Sequence, residues 1–230
     1  MTELNNFKVE LFDYFLKNDD GKNRKLVLDA VEDLAIKVLA ELKTLSHFYQ
    51  DYDIGNLPRK MDHCWVAFGP KGKKYREWAH QTISVNAQGI DVFINVETKP
   101  AIDRLRNIIK QKRSIFRENI LNLEKEGPFT MQLEERVNKQ ASIYDYYLMA
   151  RLESKYLIDD RIGSSGFQYI ETVLEKIHLP YLSVRKRIER NYSLELFEKD
   201  KGCPLIACIT NKMKAFHPLI RLINNGDSPV

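Results

Sequence analysis

An alternating β-hairpin between two amphipathic helices is the pattern that most limits how this chain folds. Gln81–Val85 alternates polar and apolar residues, residues 86–89 have the composition of a tight turn, and Ile90–Val96 returns as a second strand. Lys25–Leu45 before the hairpin and Ala101–Leu123 after it repeat their apolar residues at helical spacing. The order helix, hairpin, helix predicts an α+β fold, because α/β proteins alternate single strands with helices instead.

The remaining segments extend this pattern in both directions. Three more have the composition of strands: His63–Phe68, Phe129–Val137 and Ile143–Leu152. Three others favour helices: Phe167–Ile177, the basic segment Arg185–Arg190 and the apolar segment Leu205–Ile223. We therefore predict a mainly antiparallel sheet of about five strands flanked by helices. Residues 1–183 form this single α+β domain, and residues 184–230 form a C-terminal helical extension packed on it.

Composition places the chain among ordinary folded proteins. It has 230 residues, of which 43% are hydrophobic and 30% charged, and no apolar run approaches the roughly 20 residues that span a bilayer. The N-terminus lacks the basic and apolar regions of a signal peptide. Three cysteines, without CxxC spacing, fit neither a disulfide framework nor a zinc site. We expect a cytoplasmic protein that does not associate with membranes and needs no cofactor.

The small net charge of +4 is concentrated in two places. In the predicted helix 101–123, a basic stripe at offsets of 0, 4, 7 and 11 runs beside the apolar face: Arg106, Lys110, Arg113 and Arg117. The connection before the hairpin mixes basic and aromatic residues: Lys73, Lys74, Tyr75, Trp78 and His80. Such surfaces bind phosphates and stack bases, so we predict a binding module for an anionic ligand, with nucleic acid as the leading candidate. A solvated helix face and a charged, solubilising turn explain the same residues.

A second pattern indicates an enzyme. Glu97-Thr98-Lys99, at the end of a predicted strand, matches the acidic-x-lysine element of PD-(D/E)xK nucleases, in which carboxylates bind Mg²⁺ and lysine activates or stabilises the attacking water. The order helix, three-strand meander, helix also resembles the core of those nucleases. Asp91 lies about 20 Å from Glu97 along a straight strand, too far to bind the same ion. Asp62 therefore completes the predicted metal site with Glu97, and a structural salt bridge at the strand end is the alternative.

Another resemblance involves the first strands. The chain contains Trp65-Val66-Ala67-Phe68, the basic tetrapeptide Lys73-Lys74-Tyr75-Arg76 and a histidine-led strand that begins at His80. Together these segments resemble the signature of the YktB-like family of uncharacterised bacterial proteins. The resemblance covers about residues 25–183 and implies an α+β fold without an established activity. The tetrapeptide Lys73–Arg76 lacks the family's glycine, and Ala79 stands where the family has proline.

The terminal apolar segment suggests a third function. It contains more large apolar side chains than one small core needs, so we expect some of the following five to lie at the surface: Ile206, Ile209, Phe216, Leu219 and Ile220. An exposed apolar patch of this kind indicates a protein-interaction or oligomerisation module. The oligomeric state itself is not determined by the sequence.

Overall fold

The computed structural model describes Leu4 and residues 7–15, 23–55, 62–140, 143–157 and 163–226. The strands in these ranges are β1 (Tyr52–Ile54), β2 (His63–Pro70), β3 (His80–Asn86), β4 (Gly89–Val96), β5 (Thr130–Gln140), β6 (Ile143–Glu153) and β7 (Pro180–Glu189). The α-helices are α1 (Arg24–Leu45), α2 (Lys99–Asn122), α3 (Ser154–Leu157), α4 (Gly163–Lys176), α5 (Arg190–Glu198), α6 (Cys203–Ala215) and α7 (His217–Asn225). Short 3-10 helices occur at Val9–Phe15, His47–Tyr49, Tyr75–Glu77, Leu123–Glu126 and Lys199–Gly202. None of these described helices is long and apolar enough to cross a membrane.

The strands form a sheet in the order β1-β2-β3-β4-β7-β5-β6. The pairs β1–β2, β2–β3, β5–β6 and β5–β7 are antiparallel, which confirms the predicted α+β class with an antiparallel sheet. The predicted number of about five strands was wrong, because the sheet has seven. The two unpredicted strands are the three-residue β1 and the long β7.

β7 shows why the strand count was too low. Its basic residues from Arg185 onward suggested a helix, yet Leu182, Val184 and Ile188 are buried at every second position. Lys186, between Val184 and Ile188, is also buried. Because this position holds a lysine instead of an apolar residue, the alternating pattern of a strand is interrupted in the sequence. The helical prediction for Arg185–Arg190 is therefore corrected: that segment lies almost entirely in β7.

The chain divides into two compact units, each built from three segments. The first unit comprises Met1–Tyr75, Gln81–Val92 and Arg187–Lys214, and the second comprises Arg76–His80, Phe93–Lys186 and Ala215–Val230. The boundary that we expect near residue 183 lies within β7. The division into residues 1–183 and 184–230 stays a prediction.

The core of the first unit forms where α1 packs on β1 and β2. The apolar face of α1 is buried as its helical periodicity predicts, including Val31, Leu34 and Val38. In the β2–β3 register Val66 lies opposite Ile83, so both strands direct apolar side chains to the same side.

The core of the second unit forms where α2 packs on α4 and α7. The helix α2 is kinked, because Lys112 has non-helical backbone angles of φ −134° and ψ 39°. In the β5–β7 register Met131 lies opposite Val184 and Leu133 opposite Leu182, and all four side chains are buried.

The terminal apolar residues belong to these cores. The five side chains that we considered for an exposed interaction patch are all buried: Ile206, Ile209, Phe216, Leu219 and Ile220. They therefore offer no apolar surface to a partner, and the observation on which the interaction-module alternative rested is corrected.

Candidate functional site

The predicted basic stripe on α2 is largely occupied by contacts with α4. Arg117 forms a two-pronged ion pair with the buried Glu171: its Nε and Nη2 atoms each lie 2.9 Å from one carboxylate oxygen. Arg113 contacts the same carboxylate, with its Nε 3.1 Å from Oε2. These two arginines hold α4 against α2, and the single carboxylate of Glu171 balances one of their two positive charges.

The first stripe residue, Arg106, also contacts α4. Its guanidinium donates hydrogen bonds of 2.8 Å to the carbonyl oxygens of Leu174 and Ile177, at the C-terminal end of that helix. The carbonyls of the last turn of a helix have no partners inside the helix, and a cation there also interacts favourably with the helix dipole. Arg106 thus caps α4, whereas Lys110 is exposed to solvent.

The residues Lys71–Tyr75, which we call the basic turn, follow β2 in the first unit. Lys71, Lys73 and Lys74 are exposed, and Gly72 has a φ of +72° that favours glycine in the turn. Tyr75 is half-buried, and its side chain occupies the space that a Cβ on Gly55 or Gly69 would fill. The tyrosine therefore anchors on β1 and β2 a turn whose lysines are exposed.

Trp78 and His80, which follow the basic turn along the chain, are held by contacts of the second unit. The Arg104 guanidinium carbon lies 4.5 Å from the centroid of the Trp78 ring, and Arg104 donates to the Glu77 carbonyl. Ala79, between them, exchanges two hydrogen bonds with the Asn224 side chain, of 2.8 and 2.9 Å. This part of the chain is firmly positioned, so we expect little freedom for Trp78 to rearrange around a base.

His80 is buried and lies close to Glu97. Its Nδ1 is 3.1 Å from the Trp78 carbonyl oxygen, and its Nε2 is 3.5 Å from Glu97 Oε1. Burial lowers the pKa of His80, and the nearby Glu97 carboxylate only partly opposes this effect. His80 is therefore neutral at pH 7 and adds no positive charge for a phosphate.

Glu97 is the centre of an ion cluster in the second unit. Its side chain is 11% exposed, and Arg136 Nη2 lies 2.6 Å from its Oε2. Arg76 Nε and His80 Nε2 each lie 3.5 Å from its Oε1. The carboxylate is thus surrounded by basic groups, which supply the charge compensation that a metal ion would otherwise provide.

The other residues of the predicted metal site have separate partners. Lys99 is exposed, and its Nζ lies 2.6 Å from Asp103 Oδ2. Asp62, in the first unit, is 82% exposed, and its Oδ1 lies 2.7 Å from His63 Nδ1. In the described part of the chain, no group of three or more His, Cys, Asp and Glu side chains has the arrangement of a metal site. Glu97, Lys99 and Asp62 thus each have other partners, and the metal site stays a prediction.

Several functional candidates were missed by sequence reasoning. Arg136, Glu171 and Arg185 are central to the contacts of the second unit, yet none belongs to a motif. Arg185 lies in β7, whose strand pattern is interrupted by the buried Lys186. Arg136 and Glu171 lie 39 and 54 residues from the partners they bind, so no local pattern identifies them.

Neither a protein-family model nor a curated protein sequence matches the chain. The resemblance to the YktB-like family stays a prediction.

Proposed function

We propose that the protein is a binding module for an anionic polymer, with nucleic acid as the leading candidate, and that the basic turn supplies its main phosphate contacts. The observation that carries the proposal is the exposure of three lysines within four residues, Lys71, Lys73 and Lys74, on a turn anchored by Tyr75. Lysine presents a compact charge on a flexible stem, which suits contacts with successive phosphates. Each contact releases counterions, so affinity depends on salt.

The contacts of the neighbouring aromatic residues define the expected mode of binding. Tyr75 packs at the positions of Gly55 and Gly69, and Trp78 lies beneath Arg104. Because both rings are engaged within the protein, base stacking contributes little. We therefore expect phosphate binding without sequence preference, on double-stranded and single-stranded nucleic acid alike.

The experiment compares two variants that carry the same change in charge. The first is Lys71→Glu/Lys73→Glu/Lys74→Glu. The control is Lys25→Glu/Lys125→Glu/Lys214→Glu, which reverses three other exposed lysines. Fluorescence anisotropy with labelled DNA and RNA, at salt concentrations up to about 200 mM, gives the affinity and its salt slope.

We expect the turn variant to bind at least about tenfold more weakly than the control, with a salt slope reduced by about one for each lost phosphate contact. An equal loss in both variants would mean that net charge alone attracts the polymer. That result, or absence of binding by the wild type, overturns the proposal. Reversal of Arg113 and Arg117 is a poorer test, because both are partners of Glu171.

The Mg²⁺-dependent nuclease that uses Asp62, Glu97 and Lys99 stays a prediction. The basic groups around Glu97 count against it, and a single variant, Glu97→Gln, tests it. Glu97→Gln keeps the size of the side chain and removes its charge. Loss of a Mg²⁺-dependent cleavage activity in this variant, with the fold retained, would reinstate the nuclease.

A further inference from the structure

One face of the sheet in the second unit carries polar side chains, whereas the opposite face carries buried apolar ones. The β5–β7 register places Gln132 opposite Ser183 and Thr130 opposite Arg185. These residues alternate with the buried pairs Met131–Val184 and Leu133–Leu182, so they lie on the other side of the sheet. This face therefore carries polar side chains where the opposite face carries apolar ones.

Residues of β4 lie on this polar face as well. Tyr181 Oη donates a hydrogen bond of 2.6 Å to Asn95 Oδ1. The Arg185 guanidinium carbon lies 4.9 Å from the centroid of the Phe93 ring. Because β4, β7 and β5 are consecutive in the sheet, the face is about 10 Å wide from the first strand to the third. We call Phe93, Asn95, Gln132, Tyr181, Ser183 and Arg185 the polar sheet face.

Ser183 is the residue that packing does not explain. Its side chain is 1% exposed, and its Oγ has no hydrogen-bond partner among the described residues. An unsatisfied buried hydroxyl is costly, and native structures keep few of them. Tyr181 and Arg185 flank Ser183 on the same face, and both are half-buried. Movement of the long Arg185 side chain would open the hydroxyl to a ligand.

The positive charge next to Ser183 on this face comes from Arg185. Arg185 contributes a planar guanidinium, the group best suited to bind a carboxylate or phosphate with two parallel hydrogen bonds. Arg136 lies near Tyr181, with its guanidinium carbon 5.3 Å from the ring centroid, and its charge is paired with Glu97, whose Oε2 lies 2.6 Å from its Nη2. Glu134, opposite Tyr181, is the nearby acid, and burial raises the pKa of its carboxyl while Arg185 and Arg136 oppose the rise.

From these observations we infer that the polar sheet face binds a small oxyanion, a phosphate or carboxylate group carried on a planar body. Arg185 and the Ser183 hydroxyl donate to the oxyanion, and the Gln132 amide completes the donor set. The half-buried Tyr181 ring contacts the planar body, whereas Phe93 is 6% exposed beneath Arg185 and becomes accessible only when Arg185 moves. This site lies in the second unit and does not depend on the basic turn, which belongs to the first.

Three probes cover the proposed chemistry: inorganic phosphate, adenosine monophosphate and benzoate. Binding to the full chain is measured by isothermal titration calorimetry, and stability by urea unfolding. The variants are Ser183→Ala and Arg185→Met, which keeps the apolar stem of the arginine. The control is Ser193→Ala, since Ser193 is also buried but its Oγ donates to the Ile188 carbonyl at 3.2 Å.

We expect at least one probe to bind the wild type, with Ser183→Ala weakening binding about tenfold and Arg185→Met abolishing it. Ser193→Ala should bind normally. Ser183→Ala should also keep or increase its stability, because no internal hydrogen bond is lost, whereas Ser193→Ala should lose stability. If adenosine monophosphate binds and benzoate does not, the oxyanion is a phosphate, and the reverse result identifies a carboxylate.

Two outcomes would overturn the inference. The first is that none of the three probes binds the wild type at millimolar concentration. The second is that Ser183→Ala binds as tightly as the wild type, or loses as much stability as Ser193→Ala, since the hydroxyl then has a purely structural role. The test of the oxyanion site is independent of the test of the basic turn. If the basic-turn variants do not affect nucleic-acid binding, the inference about the polar sheet face still stands or falls on Ser183→Ala and Arg185→Met.

Discussion

Asp91 shows at the level of single residues how the first unit compensates a buried charge. Its side chain is 1% exposed, and Arg187 contacts both carboxylate oxygens, with Nε 2.8 Å from Oδ1 and Nη2 2.9 Å from Oδ2. Asn86 donates a further hydrogen bond of 2.9 Å to Oδ2. These contacts satisfy the carboxylate at the turn between β3 and β4, and hydrogen bonding to Asp91 raises the pKa of Arg187.

We therefore expect Arg187→Met to lower the free energy of unfolding by about 3 kcal/mol, because it leaves a buried carboxylate without its cation. Urea denaturation followed by circular dichroism measures the loss. The control is Arg190→Met, which breaks a more exposed ion pair with Asp13 and should cost less than about 1 kcal/mol. Equal losses in the two variants would contradict the assignment of a special role to Asp91.

At the level of elements, β7 determines much of the second unit although its sequence resembles a basic helix. Lys186 is buried on the side of β7 that carries the apolar residues, and its Nζ donates to the carbonyl oxygens of Leu123 (2.6 Å) and Gly127. Those carbonyls lie beyond the C-terminal end of α2, where the helix itself supplies no donors. A residue that the sequence presents as surface charge thus connects a strand to the end of a helix.

Lys186→Met should destabilise the protein by about 2 kcal/mol, because the two carbonyl oxygens lose a charged donor inside the structure. Thermal and urea unfolding both report the change. The matched control is Lys176→Met on α4, where the lysine is exposed and its loss should alter stability by less than about 0.5 kcal/mol. A neutral Lys186→Met would show that methionine packing compensates fully for the lost hydrogen bonds.

In the basic stripe of α2, as in β7, the sequence shows the residues but not their partners. Its spacing was read correctly from the sequence, as was the helix itself, which begins at Lys99 and ends at Asn122. The spacing does not reveal which residue the stripe contacts, because Glu171 lies 54 residues from Arg117 in the chain. The stripe therefore contributes to packing, and the exposed lysines of the basic turn become the better candidates for an anionic ligand.

At the scale of the whole molecule, two histidines whose pKa values are lowered by burial link stability to pH. Burial lowers the pKa of His217 to about 4, with the Arg221 charge as a smaller cause, and burial also lowers the pKa of His80. Both histidines are neutral in the folded and unfolded protein above the unfolded pKa near 6.5. As pH falls below that value, the unfolded state takes up protons first, and stability is lost.

We expect the pH dependence of stability between about 6.5 and 4 to be weaker in His217→Gln than in the wild type, by about 1–2 kcal/mol after allowance for the partial exposure of this side chain. Urea unfolding at a series of pH values measures the difference. His47→Gln, at an exposed histidine, serves as the control and should follow the wild type. If His217→Gln shows the wild-type pH dependence, His217 does not contribute to the linkage.

The sequence by itself determined the elements whose signal is local. The helix α1, the hairpin of β3 and β4, and α2 follow from the repeat of apolar residues, since a period of 3.6 or 2 directly records which side of an element is buried. Only the tertiary structure decided the partners: Glu97 lies among Arg76, His80 and Arg136, and Tyr75 packs at Gly55 and Gly69. It also decided that β7 is a strand with a buried lysine and an unsatisfied serine. Periodicity specifies a buried face, whereas the charge and hydrogen-bond partners of that face come from residues distant in the chain, which local patterns cannot identify.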